Sequence, residues 1–71
     1  MQLDPEVKEF LKLKDDIKED LRELFEKYLK IFDWDIPEAN DIEASVLILS
    51  QMQKALDEIK EDVKNGKYAN F

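Results

Sequence analysis

The feature that most constrains this chain is a long stretch, from Glu6 to Ile36, without glycine or proline. Those two residues most often interrupt a helix. Apolar residues recur through the stretch at alternating steps of three and four, which is the spacing of one helix face. This first seam consists of Val7, Phe10, Ile17, Leu21, Leu24, Tyr28 and Ile31. A second row of apolar residues, which we call the flank, lies beside this seam and widens the apolar stripe of the helix, as in helices of a bundle. The flank consists of Leu11, Phe25, Leu29 and Phe32. The pattern predicts one long amphipathic helix, residues 5–32.

Two short motifs bear on where this helix begins and whether it is continuous. Asp4 before Pro5 is typical of a helix start, with a carboxylate to cap free amides and a proline where no amide is needed. Lys14 interrupts the first seam, and Asp16 has the capping-box spacing to Glu19, so a break there is an alternative. Continuity is favoured, because residues 13–17 contain no helix breaker and a lysine stem can lie over an apolar seam.

A turn and a second helix follow. Ile36 precedes Pro37 and is therefore pushed out of helical geometry, which places a turn over residues 33–40. Asn40 has the capping-box spacing to Glu43, and Gly66 is the expected left-handed residue after a helix end. These signals predict a second helix over residues 41–64 and a tail over residues 65–71. The second seam consists of Ile42, Val46, Leu49, Met52, Leu56, Ile59 and Val63.

Chain length makes this hairpin a poor candidate for folding alone. A single domain of 71 residues lies near the size at which one core barely outweighs chain entropy, and without cysteine or histidine the usual disulfide and zinc supports are missing. Residues 46–49 are apolar all round and need cover on more than one side. Either the turn, through Phe32, Trp34 and Ile36, or a second subunit covers them. We predict an all-α, two-helix antiparallel hairpin, residues 1–71, that dimerises into a four-helix bundle.

The net charge of the chain limits the classes of molecule that it can bind. There are 11 basic and 18 acidic residues, a net charge of −7, which opposes direct binding to nucleic acid or anionic membranes and favours a basic protein partner. No run of apolar residues is long enough to span a membrane. The first residues, Met1 to Pro5, lack the pattern of a signal peptide, so we expect a cytoplasmic protein.

Catalytic chemistry finds little support in these residues. There is no cysteine, histidine or threonine, and neither Ser45 nor Ser50 has an evident base. Carboxylate pairs at three-residue spacing, Glu23 with Glu26 and Glu58 with Glu61, could hold a divalent metal between facing helices. The periodicity directs them to solvent instead, so a metal-dependent hydrolase is a remote alternative. We expect no enzyme activity, cofactor or metal.

The turn holds the sharpest local feature, a single tryptophan among acids. Trp34 lies within a cluster formed by Asp33, Asp35, Glu38, Asp41 and Glu43. The cluster lacks the glycine and the ligand spacing of a calcium loop. Trp34 either plugs the end of the bundle or anchors a protein interface whose acids select a basic partner. The candidate interface residues are Trp34, Asp33, Asp35, Glu38, Leu47 and Ile48.

These observations favour a small acidic protein that acts by binding another protein, as a regulator, inhibitor or adaptor. The alternative is a structural or chaperone-like subunit whose seam is completed by a different chain.

Overall fold

The computed structural model describes residues 4–71 as two packed α-helices, and no strand occurs in that range. Helix α1 spans Pro5–Asp35 and helix α2 spans Asp41–Lys64. The short connection turns α2 back along α1, so the predicted all-α helical hairpin is confirmed. Residues 1–3, which belong to the predicted domain, lie outside the described range. No helix in residues 4–71 combines the length and the apolarity needed to cross a bilayer.

Helix α1 begins at Pro5 as predicted, but its N-terminal capping and its C-terminal end differ from the prediction. The Asp4 side chain makes no capping hydrogen bond; its backbone carbonyl accepts from Lys8 N at 3.0 Å, and Pro5 opens the helix. The helix continues through residues 14–16, so the alternative with a break is wrong. It also runs past residue 32 to Asp35, because the constraint that Pro37 imposes acts only on Ile36, where φ is −131° and ψ is 88°.

The turn and the start of α2 are closed by local hydrogen bonds. Ile36 N donates to Phe32 O at 2.9 Å, and Ala39 N donates to Ile36 O at 2.9 Å across Pro37. Asn40 Oδ1 then accepts from Ile42 N at 2.9 Å and from Glu43 N at 3.1 Å. The predicted cap at Asn40 is therefore present, and it satisfies two amides that the helix itself leaves free.

The end of α2 is a Schellman motif around Gly66. Gly66 has a φ of +84°, in the left-handed region that the sequence predicts for this position. Its amide donates to Val63 O at 3.1 Å, and Lys67 N donates to Asp62 O at 3.0 Å. The tail continues in hydrogen-bonded turns, and the Tyr68 and Phe71 rings meet edge to face with centroids 5.7 Å apart.

The two helices pack through the flank of the α1 stripe and not through its first seam. On α1 the apolar side chains with the least exposure are the half-buried Phe25, Leu29 and Phe32, which belong to the flank. They face the α2 row of Ala44, Ile48 and Met52, where Ala44 is 3% and Ile48 8% exposed. Every residue of the first seam stays exposed.

Burial is confined to the half of the hairpin near the turn. Ala44 and Ile48 are the buried residues of the described chain, and no residue after Met52 with a large apolar side chain is less than 38% exposed. The radius of gyration is 16.5 Å, whereas a compact domain of this length has about 11 Å. The molecule is thus an elongated hairpin of 54 × 27 × 18 Å with a minimal core of its own.

Candidate functional site

A shallow apolar groove of about 410 Å³ runs between the helices on one face of the hairpin. Three α1 residues form one wall and α2 residues form the floor and the other wall. The lining residues are Leu24, Tyr28, Phe32, Leu47, Ile48, Gln51, Met52 and Ala55. The only polar side chains among them are Gln51 and the Tyr28 phenol. The Lys27 ammonium lies 5.6 Å from the centre of the Tyr28 ring, a cation–π distance.

A second hollow of about 210 Å³ continues the groove toward the turn. Phe32 and Leu47 line both depressions, so the two form one continuous apolar surface. The remaining lining residues are Ile36, Ala39, Asn40, Glu43 and Ala44. We call the side of the hairpin that carries both hollows the groove face.

The opposite side, which we call the back face, carries a separate apolar strip from α2. Ile48 points at α1, and its neighbours Leu47 and Leu49 are each rotated by about 100° from it, in opposite senses. Leu47 therefore lies on the groove face and Leu49 on the back face. Leu56 and Val63 follow Leu49 at seven-residue steps and continue this strip. Leu49 is 52% exposed, so the strip is open to solvent.

The acidic turn places its tryptophan in solvent. Trp34 is 87% exposed, so it does not plug the end of this hairpin. Phe32 and Ile36 line the hollow beside the turn in its place. Of the four-residue apolar run, only Ile48 is covered within the chain, and Val46, Leu47 and Leu49 each remain more than half exposed. The turn therefore supplies little of the cover that residues 46–49 need.

Two carboxyl groups interact across this turn. A hydrogen bond with the Asp41 carboxyl group raises the pKa of Asp33 above its ordinary value of 3.8, and desolvation and the negative charge of Asp41 act in the same direction. Asp33 lies in the last turn of the first helix, and Asp41 begins the second. The pair thus couples the end of the first helix to the start of the second.

Carboxylates elsewhere form no evident metal centre. Within residues 4–71 no group of three or more acidic side chains has an arrangement that could hold a metal ion. The pairs considered for a hydrolase, Glu23 with Glu26 and Glu58 with Glu61, are exposed on their helices.

The six predicted interface residues fall in two separate places. Trp34, Asp33, Asp35 and Glu38 lie exposed at the turn end, while Leu47 lies on the groove face. Ile48 is buried between the helices and offers little surface to another molecule. The interface role of these residues stays a prediction. Sequence reasoning missed Leu24 and Tyr28 as groove residues, because their heptad spacing is equally typical of a helix–helix contact.

Comparison with protein-family models, with curated proteins and with solved structures finds no match to this chain.

Proposed function

We propose that this protein is a non-enzymatic interaction module that completes its core by pairing with a second copy and acts by binding another protein. The observation that carries the proposal is the excess of exposed surface. The accessible surface is 6729 Å², whereas a compact monomer of 8.4 kDa exposes about 4600 Å². Exposed residues of both seams contribute to this excess of about 2100 Å².

The small core supports the same proposal from the energetic side. Ordering one residue costs roughly 1–2 kcal/mol of backbone entropy, and full burial of a large apolar side chain returns about 1.5–3 kcal/mol. The described chain buries Ala44 and Ile48 and half-buries a few neighbours. A hairpin of this kind gains most of its stability when another surface covers the seams.

A second copy has enough area to provide that cover. A stable protein–protein interface removes about 800 Å² from each partner, less than half of the excess that each chain carries. Two hairpins joined in this way form a four-helix bundle, in which exposed apolar residues of the second seam supply part of the core. The same chemistry serves a partner protein, and the net charge of −7 favours one with a basic surface.

The experiment that tests self-association is absolute mass by light scattering across a dilution series, with circular dichroism at each concentration. We expect twice the chain mass of 8.4 kDa, with helix content that falls as the dimer dissociates. Ser50→Gln, an exposed polar change on the side of α2 away from Leu49, is the control and should leave the mass unchanged.

A helical monomer of 8.4 kDa at every concentration would contradict self-pairing. That result would favour the alternative, a structural or chaperone-like subunit whose seam is completed by a different chain.

A further inference from the structure

The groove face is bordered mainly by acidic side chains. Rows spaced by three and four residues run along each helix beside this face. On the α1 side the charged members of the row are Glu9, Asp16, Asp20, Glu23 and Lys27. On the α2 side, in the row that contains Leu47, they are Glu43, Lys54, Glu58 and Glu61. All of these residues are exposed, and the seven acids among them outnumber the two lysines.

The rows that border the back face contain similar numbers of acidic and basic residues. The α1 row on that side contains Asp15, Lys18, Arg22, Glu26 and Asp33. The α2 row contains Asp57, Lys60 and Lys64. The α1 row also contains Lys8, seven residues before Asp15, so four acids are matched by five basic residues. The two apolar faces of one hairpin therefore differ in their electrostatic surroundings.

This difference in charge indicates which face binds a second copy and which binds another protein. Two copies that met through their groove faces would bring acidic borders against each other, and like charges at an interface oppose association. Two copies that met through the back faces would meet no such repulsion. We propose that the back face pairs with a second copy and that the groove face binds an amphipathic helix of another protein, with lysine or arginine on both sides of its apolar stripe.

The dimensions of the groove face suit a short helix. The first seam from Ile17 to Ile31 extends for about 21 Å, which corresponds to roughly four helical turns. A helix in such a groove inserts apolar side chains at spacings of three and four residues. Its basic residues then lie over the acids that border the groove. This inference rests on the proposed function and assigns a partner class and a surface to it.

A synthetic peptide pair tests the groove face directly. The probe is a labelled 18-residue amphipathic peptide with a leucine stripe and lysine on both sides; its twin keeps the stripe and carries glutamate instead. Fluorescence anisotropy with the full chain should show at least tenfold tighter binding of the lysine peptide, with an affinity that falls as salt is added. Equal affinity for the two peptides would overturn the proposal.

Two matched leucine substitutions on α2 locate the binding surface. Leu47→Glu adds an acid to the groove face. If charge alone attracted the lysine peptide, this change would strengthen binding. If the peptide binds through apolar contacts in the groove, the change weakens binding. We expect at least tenfold weaker peptide binding and an unchanged mass. Undiminished binding, or a mass reduced to 8.4 kDa, would overturn the assignment of this face.

Leu56→Glu makes the same change on the back face. It should lower the mass to 8.4 kDa, and peptide binding should persist wherever circular dichroism shows that helices remain. If this variant unfolds, Leu47→Glu and the peptide pair still decide the proposal. Because mass and peptide affinity are measured separately, failure of self-association and failure of the groove assignment are distinguishable.

Discussion

The carboxyl groups of Asp33 and Asp41 interact across the turn, which couples the last turn of the first helix to the first residue of the second. The contact raises the pKa of Asp33 above 3.8. A raised pKa in the folded state means that protonation of Asp33 favours folding. This stabilisation is complete below about pH 3.8 and is lost as the pH rises through the folded-state pKa.

Asp33→Asn should therefore raise the melting temperature at neutral pH. It removes the repulsion with Asp41 and also a negative charge at the helix end where the dipole disfavours one. The gain should shrink as the pH falls toward 3.8, because the wild-type carboxyl then becomes neutral as well. Thermal melts from pH 3 to 7 measure this. Asp35→Asn, which leaves the pair intact, is the control, and a gain independent of pH would contradict the pairing.

Ile48 and Leu47 are neighbours with opposite roles in stability. Ile48 is 8% exposed between the helices, so Ile48→Ala should lower the free energy of unfolding by about 2–4 kcal/mol. Leu47 lies in the open groove, and Leu47→Ala should cost about 0.5 kcal/mol or less. Urea denaturation at one protein concentration checks both values. Equal losses of unfolding free energy would show that Leu47 lies in the core together with Ile48, which would contradict the structure.

The two helix starts differ in how they are capped. Asn40 Oδ1 accepts two backbone amides, so Asn40→Ala should lower the free energy of unfolding by about 1 kcal/mol. Asp4 makes no capping hydrogen bond through its side chain, and Asp4→Ala should cost less than half as much. Asn40→Asp keeps the acceptor and should restore stability. Chemical denaturation of the three variants tests the order, and a larger loss at Asp4 would contradict the structure.

Trp34 provides a spectroscopic probe of the acidic turn, because it is the single tryptophan. At 87% exposure, Trp34→Phe should change the free energy of unfolding by no more than about 0.5 kcal/mol. Acrylamide should quench its fluorescence almost as efficiently as that of a free tryptophan. Protection that appears with rising protein concentration would place Trp34 at the self-association interface. Protection that appears only with a partner would support its predicted role as an anchor.

The local elements of this fold were readable from the sequence because local interactions specify them. The Asn40 cap, the Gly66 stop and the break before Pro37 each act within a few residues of backbone. The helical continuity at Lys14 also follows from local propensity. The apolar pattern predicts an end at residue 32, three residues early, since Trp34 and Asp35 interrupt that pattern without interrupting the backbone hydrogen bonds.

The contact between the helices could not be derived from that pattern. A heptad stripe wide enough for a bundle contains two neighbouring rows, and either can face the partner helix. The row with Phe25 and Leu29 packs within the chain, and the row with Leu24 and Tyr28 remains exposed. On α2 the contact buries Ala44 and Ile48, which lie one turn apart on one face of the helix.

The sequence by itself determined two amphipathic helices, the turn between them and an acidic surface, because periodicity, capping and charge are properties of neighbouring residues. Only the tertiary structure decided that the hairpin closes through its flank, that Trp34 faces water, and that Leu47 and Leu49 lie on opposite faces. The physical reason is that the rotation of each helix about its axis depends on side-chain packing between segments that are distant in sequence.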